Sequence, residues 1–365
     1  MLKNIKLIFC RQNNVFHYVI SNIFLSKNKP LIIKILASGI CGTDIDIARN
    51  SRPDTAKILG HESIGKIIAV HPAVKDFKEN ELVIFNPVSP FNQDKILGHS
   101  YDGIFQKFRQ ISVEELFHNL LIKIPENSPS WYGALLEPMS VAVYAYEIFL
   151  TRGYVNDILI IGTGAIAHVI AAYFYKKKCN ITMISNSKKR VSLLKKRNNF
   201  TFSYKYFKEF KSSNEKFSRI ISCSRRSTAK IALEIAFHFA KDNNTIIDFV
   251  NGFNEPILLE AANEKNSLKI DLNQIRRANN CGKNYLIVDL LNPKQCGVTG
   301  HRGSSKDHFI KALKSINETP QYYMKLIDKI IAFDELGNFF NDGIKLDLSH
   351  RGKILIDMNK DRNDI

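Results

Sequence analysis

The sequence predicts an α/β chain, a doubly wound parallel sheet joined to a second, β-rich unit. Three observations carry this. Short apolar runs crowd the first 125 residues, strands and helices alternate between residues 158 and 249, and a glycine turn heads that alternation. At 365 residues the chain has room for two ordinary domains, taking roughly 150 residues for each.

The early runs cover residues 31–37, 63–70, 82–85, 105–111 and 120–124, each bounded by turn residues. Such spacing describes a β-rich unit with irregular loops. A helix is expected over 134–150, opened near Ser130 and closed near Gly153. Then come a strand at 158–161, a helix at 165–178, a strand at 181–185 and a helix at 188–196. A strand at 219–223, a helix at 228–240 and a strand at 245–249 continue the alternation. Strand–helix–strand order of this length implies a parallel sheet with right-handed crossovers. Helices at 307–316 and 322–333 and a strand at 353–356 follow, while residues 254–291 carry no readable pattern.

Apolar residues make up 45% of the chain and charged ones 24%, which excludes disorder, collagen-like repeats and a small disulfide scaffold. The charge is unusual: 52 Lys+Arg against 35 Asp+Glu, a formal +17. Most of it lies in residues 176–230, which hold seventeen basic residues and two acidic ones, Glu209 and Glu215. Such a balance suits nucleic acid, an anionic membrane or anionic small molecules. Phe200, Phe202, Tyr204, Tyr206, Phe207 and Phe210 interleave with these cations, as in a single-strand binder. That nucleic-acid reading is disfavoured, because the aromatics flank crossover elements that need a core.

Six scattered cysteines without CxxC pairs read as reduced thiols of a cytosol. Lys3 and Lys6 break the amino-terminal apolar run, so no signal peptide is expected. Residues 158–175 lack Asp, Glu, Lys and Arg and precede three lysines, mimicking a membrane span. Gly162-Thr163-Gly164 cuts that run in two. A soluble, cytoplasmic chain is expected.

In Gly162-Thr163-Gly164-Ala165-Ile166-Ala167 a hydrophobic strand enters a GxGxxA turn and leaves as an apolar helix. Gly162 allows the tight turn, Gly164 lets a pyrophosphate approach, and Ala167 permits close helix–strand packing. The helix start then offers free N–H groups to phosphates. The next strand should end in a carboxylate if a ribose 2′-hydroxyl is bound. Ser185 stands there instead, followed by Lys188, Lys189 and Arg190. No carboxylate would repel a 2′-phosphate, and Arg and Lys suit phosphate recognition. NADP is therefore favoured over NAD.

Cys41, His61 and a carboxylate, Glu62 or Glu137, form the ligand set a catalytic zinc takes when one position stays open. They stand in the segments Gly39-Ile-Cys41-Gly-Thr43-Asp44, Gly60-His61-Glu62-Ser-Ile-Gly65 and Glu137-Pro138, ahead of the dinucleotide turn.

With these motifs the chain resembles the zinc-dependent medium-chain dehydrogenases/reductases, particularly their polyol and sugar dehydrogenase branch. GICGTD, GHExxG, the LLEPMSVAVYA helix and the GTGAIA turn match in order and spacing. Asp102-Gly103-Ile-Phe105-Gln-Lys-Phe108 and the segment from Gly297 to Phe309 match further family elements. The resemblance spans nearly the whole chain and is weakest at 254–291. It implies a GroES-like catalytic domain at 1–150, a Rossmann coenzyme domain at 151–303, and a return to the catalytic domain at 304–365.

The same resemblance implies one catalytic zinc on Cys41, His61 and either Glu62 or Glu137. It makes Thr43 the hydroxyl that passes the substrate proton outward, and Asp44 the carboxylate that orients the ligand histidine. The family's relay histidine is here Asp46, so the proton would run through Thr43 and water or through Asp46. No cysteine lies between Cys41 and Cys179, so the four-cysteine structural zinc lobe is missing, with residues 87–100 in its place. His99 and Tyr101 from that region are candidate pocket residues. The implied reaction is hydride transfer between nicotinamide and a carbinol or ketone carbon of a polyol, sugar or cyclitol. The alternative is an NADPH-dependent reductase of a phosphorylated ketose. A homodimer or homotetramer is implied.

Overall fold

The computed structural model describes residues 4–12, 15–197, 199–261, 268–291, 295–341 and 352–360. Lys3, and residues 262–267 within the unreadable stretch, lie outside the described residues. The chain divides into two compact units, residues 1–138 with 319–365, and residues 139–318. The anticipated seams at 150 and 303 thus fall elsewhere. Helices Leu136–Leu150 and Lys306–Glu318 both pack within the second unit, where Phe149 meets Phe174 and Tyr144 stacks on His308.

The first unit is built on a mixed sheet in the order Ile327–Ala332, Lys353–Asp357, Leu31–Ile40, Glu62–Val70, Leu82–Phe85 and Leu121–Ile124. Strand Phe108–Ile111 pairs with Leu31–Ile40 as well. All these pairs are antiparallel except the first. Strand Leu31–Ile40 is the hub. Leu31, Ile33 and Ile35 are fully buried in one cluster with Ile67, Val83, Phe85, Phe105 and Ile356. An antiparallel pair, Asn4–Gln12 with Val15–Ile23, adds Phe9 and Phe16 to that core.

Residues 322–333 correct an expectation. Apolar residues at 322, 323, 326, 327, 330 and 331 fit a helical period, but the helix ends at Met324 and strand Ile327–Ala332 follows. The β-branched Ile327, Ile330 and Ile331 suit a pleated surface. Strand Lys353–Asp357 offers them a parallel partner.

The second unit carries the parallel sheet in the order Ser203–Tyr206, Asn180–Ser185, Asp157–Ile161, Arg219–Ser222, Ile246–Phe249 and Gly297–Gly300. A short antiparallel edge, Val288–Asp289, closes it. The order reverses between Asp157–Ile161 and Arg219–Ser222, which is the switch point where open α/β sheets take ligands at the strands' carboxyl ends. Ile220, Ile247, Phe249 and Val298 bury one face against Leu233, Ala236, Phe239 and Leu272.

Four of the six aromatics of the basic segment turn inward: Phe200, Phe202, Tyr204 and Phe210 are buried, and Tyr206 and Phe207 are half-buried. The buried four are core, so they form no stacking platform for bases. Among the described residues no helix is long and apolar enough to cross a membrane.

Within this unit Glu147 accepts hydrogen bonds from Tyr285 Oη (2.6 Å) and Lys311 Nζ (2.7 Å) and meets His308 Nε2 at 3.1 Å. Burial alone would raise its carboxyl, but the Lys311 and Tyr285 bonds hold it below its usual 4.5. Its stabilisation is therefore full above that unfolded value and is lost as pH falls through the lower folded one. Glu147→Gln is expected to cost about 1 kcal/mol near neutral pH, a figure kept low because Lys311 is half-exposed. Denaturation midpoints in neutral and in acidic buffer check this, since an equal cost at both would contradict it.

Candidate active site

Strand Leu31–Ile40 delivers Cys41 to the start of helix Gly42–Ala48. Its antiparallel neighbour begins at Glu62, directly across from Gly39, so His61 and Glu62 arrive at the same end of the sheet. Gly39 is required there, because a Cβ would strike the Glu62 carboxylate. One donor atom each from Cys41, His61 and Glu62 lie within 4.8 Å of one another, a group that could hold a metal ion. His61 and Glu62 are buried and Cys41 is half-buried.

Asp44 explains how two separate segments hold this geometry. It is fully buried; its Oδ2 accepts from Cys41 N (2.8 Å) and its Oδ1 from Gly60 N (3.0 Å). His61 Nδ1 lies 3.7 Å from Oδ1, an ion-pair distance beyond hydrogen bonding. Asp44 thus grips the backbone on either side of the cluster.

Lys353 escaped the sequence reading. It opens the terminal strand Lys353–Asp357 and is 2% exposed. Its Nζ donates to Glu62 Oε1 (2.6 Å) and Ile40 O (3.1 Å), and contacts Glu62 Oε2 as well. A lysine at the head of an apolar run reads locally as a solvated strand end, so no local signal marks it.

Electrostatics in this pocket are lopsided. Burial raises the Asp44 carboxyl, and burial pushes Glu137 up to about 7. Burial alone would lower His61, but Asp44, Cys41 and Glu137 bring it to about 10. Burial likewise opposes the Lys353 ammonium, which Glu62, Cys41 and Glu137 nevertheless hold above its ordinary value. Glu62, Glu137 and the Cys41 thiol thus surround the Lys353 ammonium, while Asp44 faces His61. The thiolate–imidazole–carboxylate donor set fits zinc.

The two candidate carboxylates differ in placement. Glu62 belongs to the close cluster, whereas Glu137, at the start of helix Leu136–Leu150, stands outside it. Thr43 and Asp46, three apart on helix Gly42–Ala48, share one side of it and are half-buried. His99 and Tyr101 part company. The His99 ring lies 5.0 Å from that of His61, beside Arg52 and Asp54, while Tyr101 packs against the apolar core.

In the second unit Gly162 has φ +120°, and a Cβ on it would press on Cys223 O, so only glycine suits that turn. A Cβ on Gly164 would meet nothing within 4 Å. Packing does not demand glycine there, which leaves the space a phosphate would fill. Ala165 and Ile166 open helix Ala165–Lys176 half-buried, and Ala167 is fully buried against the sheet. His168 joins Gly164 O (3.0 Å) to Tyr204 Oη (3.3 Å), bracing the turn.

Ser185, buried at its strand end, accepts from Ser187 N (3.2 Å). Of the three cations that follow, Lys188 is exposed and paired with Glu209 (2.8 Å), and Lys189 is exposed. Arg190 is half-buried, and burial together with the nearby Arg225 guanidinium lowers its pKa.

A β-rich unit with a buried Cys–His–Glu cluster, followed by a switch-point sheet with a glycine turn, defines the two-unit dehydrogenase class. Residues 27–125 match the alcohol dehydrogenase GroES-like domain. Residues 158–269 match the family described as ketopantoate reductase PanE/ApbA. The GroES-like match and the zinc-type relatives support a member of the zinc-dependent medium-chain dehydrogenases/reductases.

An uncharacterised zinc-type alcohol dehydrogenase-like protein of Haemophilus influenzae is 24% identical over 87% of this chain and 88% of its own length. The L-threonine 3-dehydrogenase of Thermococcus kodakarensis is 29% identical over 31% of this chain and 36% of its own. Rat (Rattus norvegicus) sorbitol dehydrogenase is 29% identical over 38% and 43%. The chain thus matches less than half the length of these two dehydrogenases. Among solved structures, a short chain alcohol dehydrogenase from Escherichia coli with NADH shares the fold at TM-score 0.71, with 19% identity over 97% of this chain and 99% of that one. A putative zinc-binding dehydrogenase from Sinorhizobium meliloti bound to NADP does so at 0.70, with 14% identity over 97% and 100%.

Proposed function

We propose that the chain is a zinc-dependent oxidoreductase moving a hydride between NAD(P) and a secondary alcohol or ketone of a polyol, sugar or cyclitol. The observation that carries this is the convergence of the Cys41, His61 and Glu62 donor atoms within 4.8 Å of one another. Bound there, zinc would act as a Lewis acid on the substrate oxygen. Cys41, His61 and Glu62 would hold the ion, Asp44 clamps the backbone at Cys41 and Gly60, and Lys353 pairs with Glu62. The Thr43 hydroxyl would accept the substrate hydroxyl's proton as it releases its own outward, through water or through Asp46. Glu137 stands by as an alternative carboxylate. A phosphorylated ketose is the alternative substrate. Arg52, the cation nearest His99, is taken up by a two-point contact with Asp54 (2.7 and 3.1 Å), which favours an uncharged one. The family likeness and six free thiols support a cytoplasmic enzyme, and a homodimer or homotetramer is the expected assembly. Metal analysis, with turnover assayed on ketoses, ketose phosphates and cyclitol ketones, tests the reading. Turnover in metal-free protein would overturn it.

NADP is the preferred coenzyme in this reading, bound by Gly162, Gly164 and the first turn from Ala165 to Ala167. Ser185 presents no carboxylate, and Arg190, with Lys189 outside it, receives the 2′-phosphate. Arg190→Ala is expected to weaken NADPH binding by roughly 10- to 100-fold, as the loss of a charge-assisted hydrogen bond would. NADH binding should change little. Titration with both coenzymes decides it, and an equal loss for the two would remove Arg190 from phosphate recognition.

A further inference from the structure

Residues 87–100, which stand where the four-cysteine lobe is missing, are tied to the first unit by side-chain bonds that the metal cluster does not use. The segment closes on itself: Val88 bridges Ile96, and Leu97 N donates to Pro87 O (2.9 Å). Its two sides therefore move together. Ser89 stands on one side, Gly98 and His99 on the other. Gly98 lies against the Gly60 backbone, where a Cβ would have no room, and the His99 ring lies 5.0 Å from that of His61.

Ser89 is fully buried, and its surroundings fix where its hydrogen goes. Phe91 N and Asn92 N each donate to Ser89 Oγ (both 3.1 Å), and His118 Nδ1 stands 3.0 Å from it. A hydroxyl has two lone pairs and one hydrogen to give. The backbone donors take the lone pairs, so the hydrogen goes to His118. The Nδ1 that accepts it carries no hydrogen of its own, and His118 is the neutral ring with its hydrogen on Nε2. A further proton on Nδ1 would point at the serine hydrogen, with no lone pair left to receive it. The tie exists only with a neutral ring.

A charged ring has another partner within reach. His118 ends helix Val113–Phe117 with its N donating to Glu114 O (2.9 Å), so Glu114, four residues back, shares its face of the helix. Phe91 and Phe117 flank the imidazole, with ring centroids at 5.4 and 5.8 Å. Glu114 is ion-paired with Lys95 of segment 87–100. The Lys95 bond, with a smaller pull from His118, holds the Glu114 carboxyl below its usual value. The other charged groups nearby turn elsewhere: Glu115 pairs with Arg109 (2.6 Å), and Asp94 is exposed. A charged His118 would thus compete with Lys95 for Glu114. Both ties between segment and helix, Ser89–His118 and Lys95–Glu114, weaken in the same event.

We propose that His118 is a pH-sensitive latch on residues 87–100: neutral, it holds Ser89 and keeps His99 against His61, and protonated, it turns to Glu114 and frees the segment. Imidazole changes charge between about pH 5 and 8, so the latch closes as pH rises and opens as pH falls. It belongs to the first unit alone and needs neither ion nor coenzyme.

The test is hydrogen exchange of the full chain, read by mass spectrometry at about pH 7.5 and about pH 5.5 and corrected for the intrinsic pH dependence of exchange. Residues 87–100 should lose protection at least about fivefold at the lower pH, while strand Leu31–Ile40 keeps its own. His118→Asn sets an amide oxygen near the Nδ1 position and cannot titrate; its segment should stay protected at both values. Ser89→Ala should leave the segment open at both. Equal protection of residues 87–100 in the native chain at the two values would overturn the proposal, and that comparison needs no variant to fold. A pH response that survives His118→Asn would overturn it too, assigning the response to other groups such as the metal donors. So would a segment that stays closed in Ser89→Ala.

Discussion

Cys41→Ser is expected to empty the metal site and to lower kcat/KM on the order of a thousandfold, about 4 kcal/mol of lost transition-state stabilisation. The change exchanges a soft thiolate for a hydroxyl that stays protonated, leaving His61 and Glu62 too few to hold zinc firmly. Glu137, outside the close cluster, does not replace it there. Coenzyme binding should persist, because the glycine turn belongs to the other compact unit. Metal content by elemental analysis, steady-state turnover and coenzyme titration on the same preparation check all three statements. A serine variant that turns over at native rate without metal would end the zinc reading.

Lys353→Met is the second large effect. Lys353 is the buried ammonium between Glu62 and Glu137, and it touches both Glu62 oxygens. Removing it strands a buried carboxylate, a change that costs about 3–5 kcal/mol when one partner of a buried pair is lost. Denaturation of the metal-free protein should show the full loss. Adding Glu62→Gln should restore much of it, since the double variant buries no unpaired charge. A cost under about 1 kcal/mol for the single variant would show that the pocket does not depend on this pair.

Neither effect could be sized from the sequence in the same way. Cys41 and His61 stand in short motifs whose glycines make them visible, and the structure brings their donors together with that of Glu62. Lys353 sits 291 residues from Glu62 and becomes a partner only when the terminal strand pairs beside Leu31–Ile40. The Ser89–His118 bond is hidden for the same reason, its members standing 29 residues apart. The alternation through the second unit is legible because buried parallel strands are short β-branched runs set between longer amphipathic helices. Residues 322–333 are not, since a run that satisfies a helical period was drawn into a sheet by pairing with strand Lys353–Asp357. The amino-terminal pair of strands and the pair Leu258–Ala261 with Leu268–Asp271 went unread for want of a one-sided apolar pattern.

The sequence by itself determined the fold class, the order of the two units, the glycine turn and the candidate metal donors. Each of those rests on residues close enough in the chain to share one turn, one strand or one helix face. Only the tertiary structure shows that a Glu62 oxygen lies within 4.8 Å of the Cys41 and His61 donors, that Asp44 grips backbone, and that Arg190 is the half-buried cation of its group. Those outcomes depend on which charges burial brings together, because desolvation and Coulomb energies act through space and not along the chain.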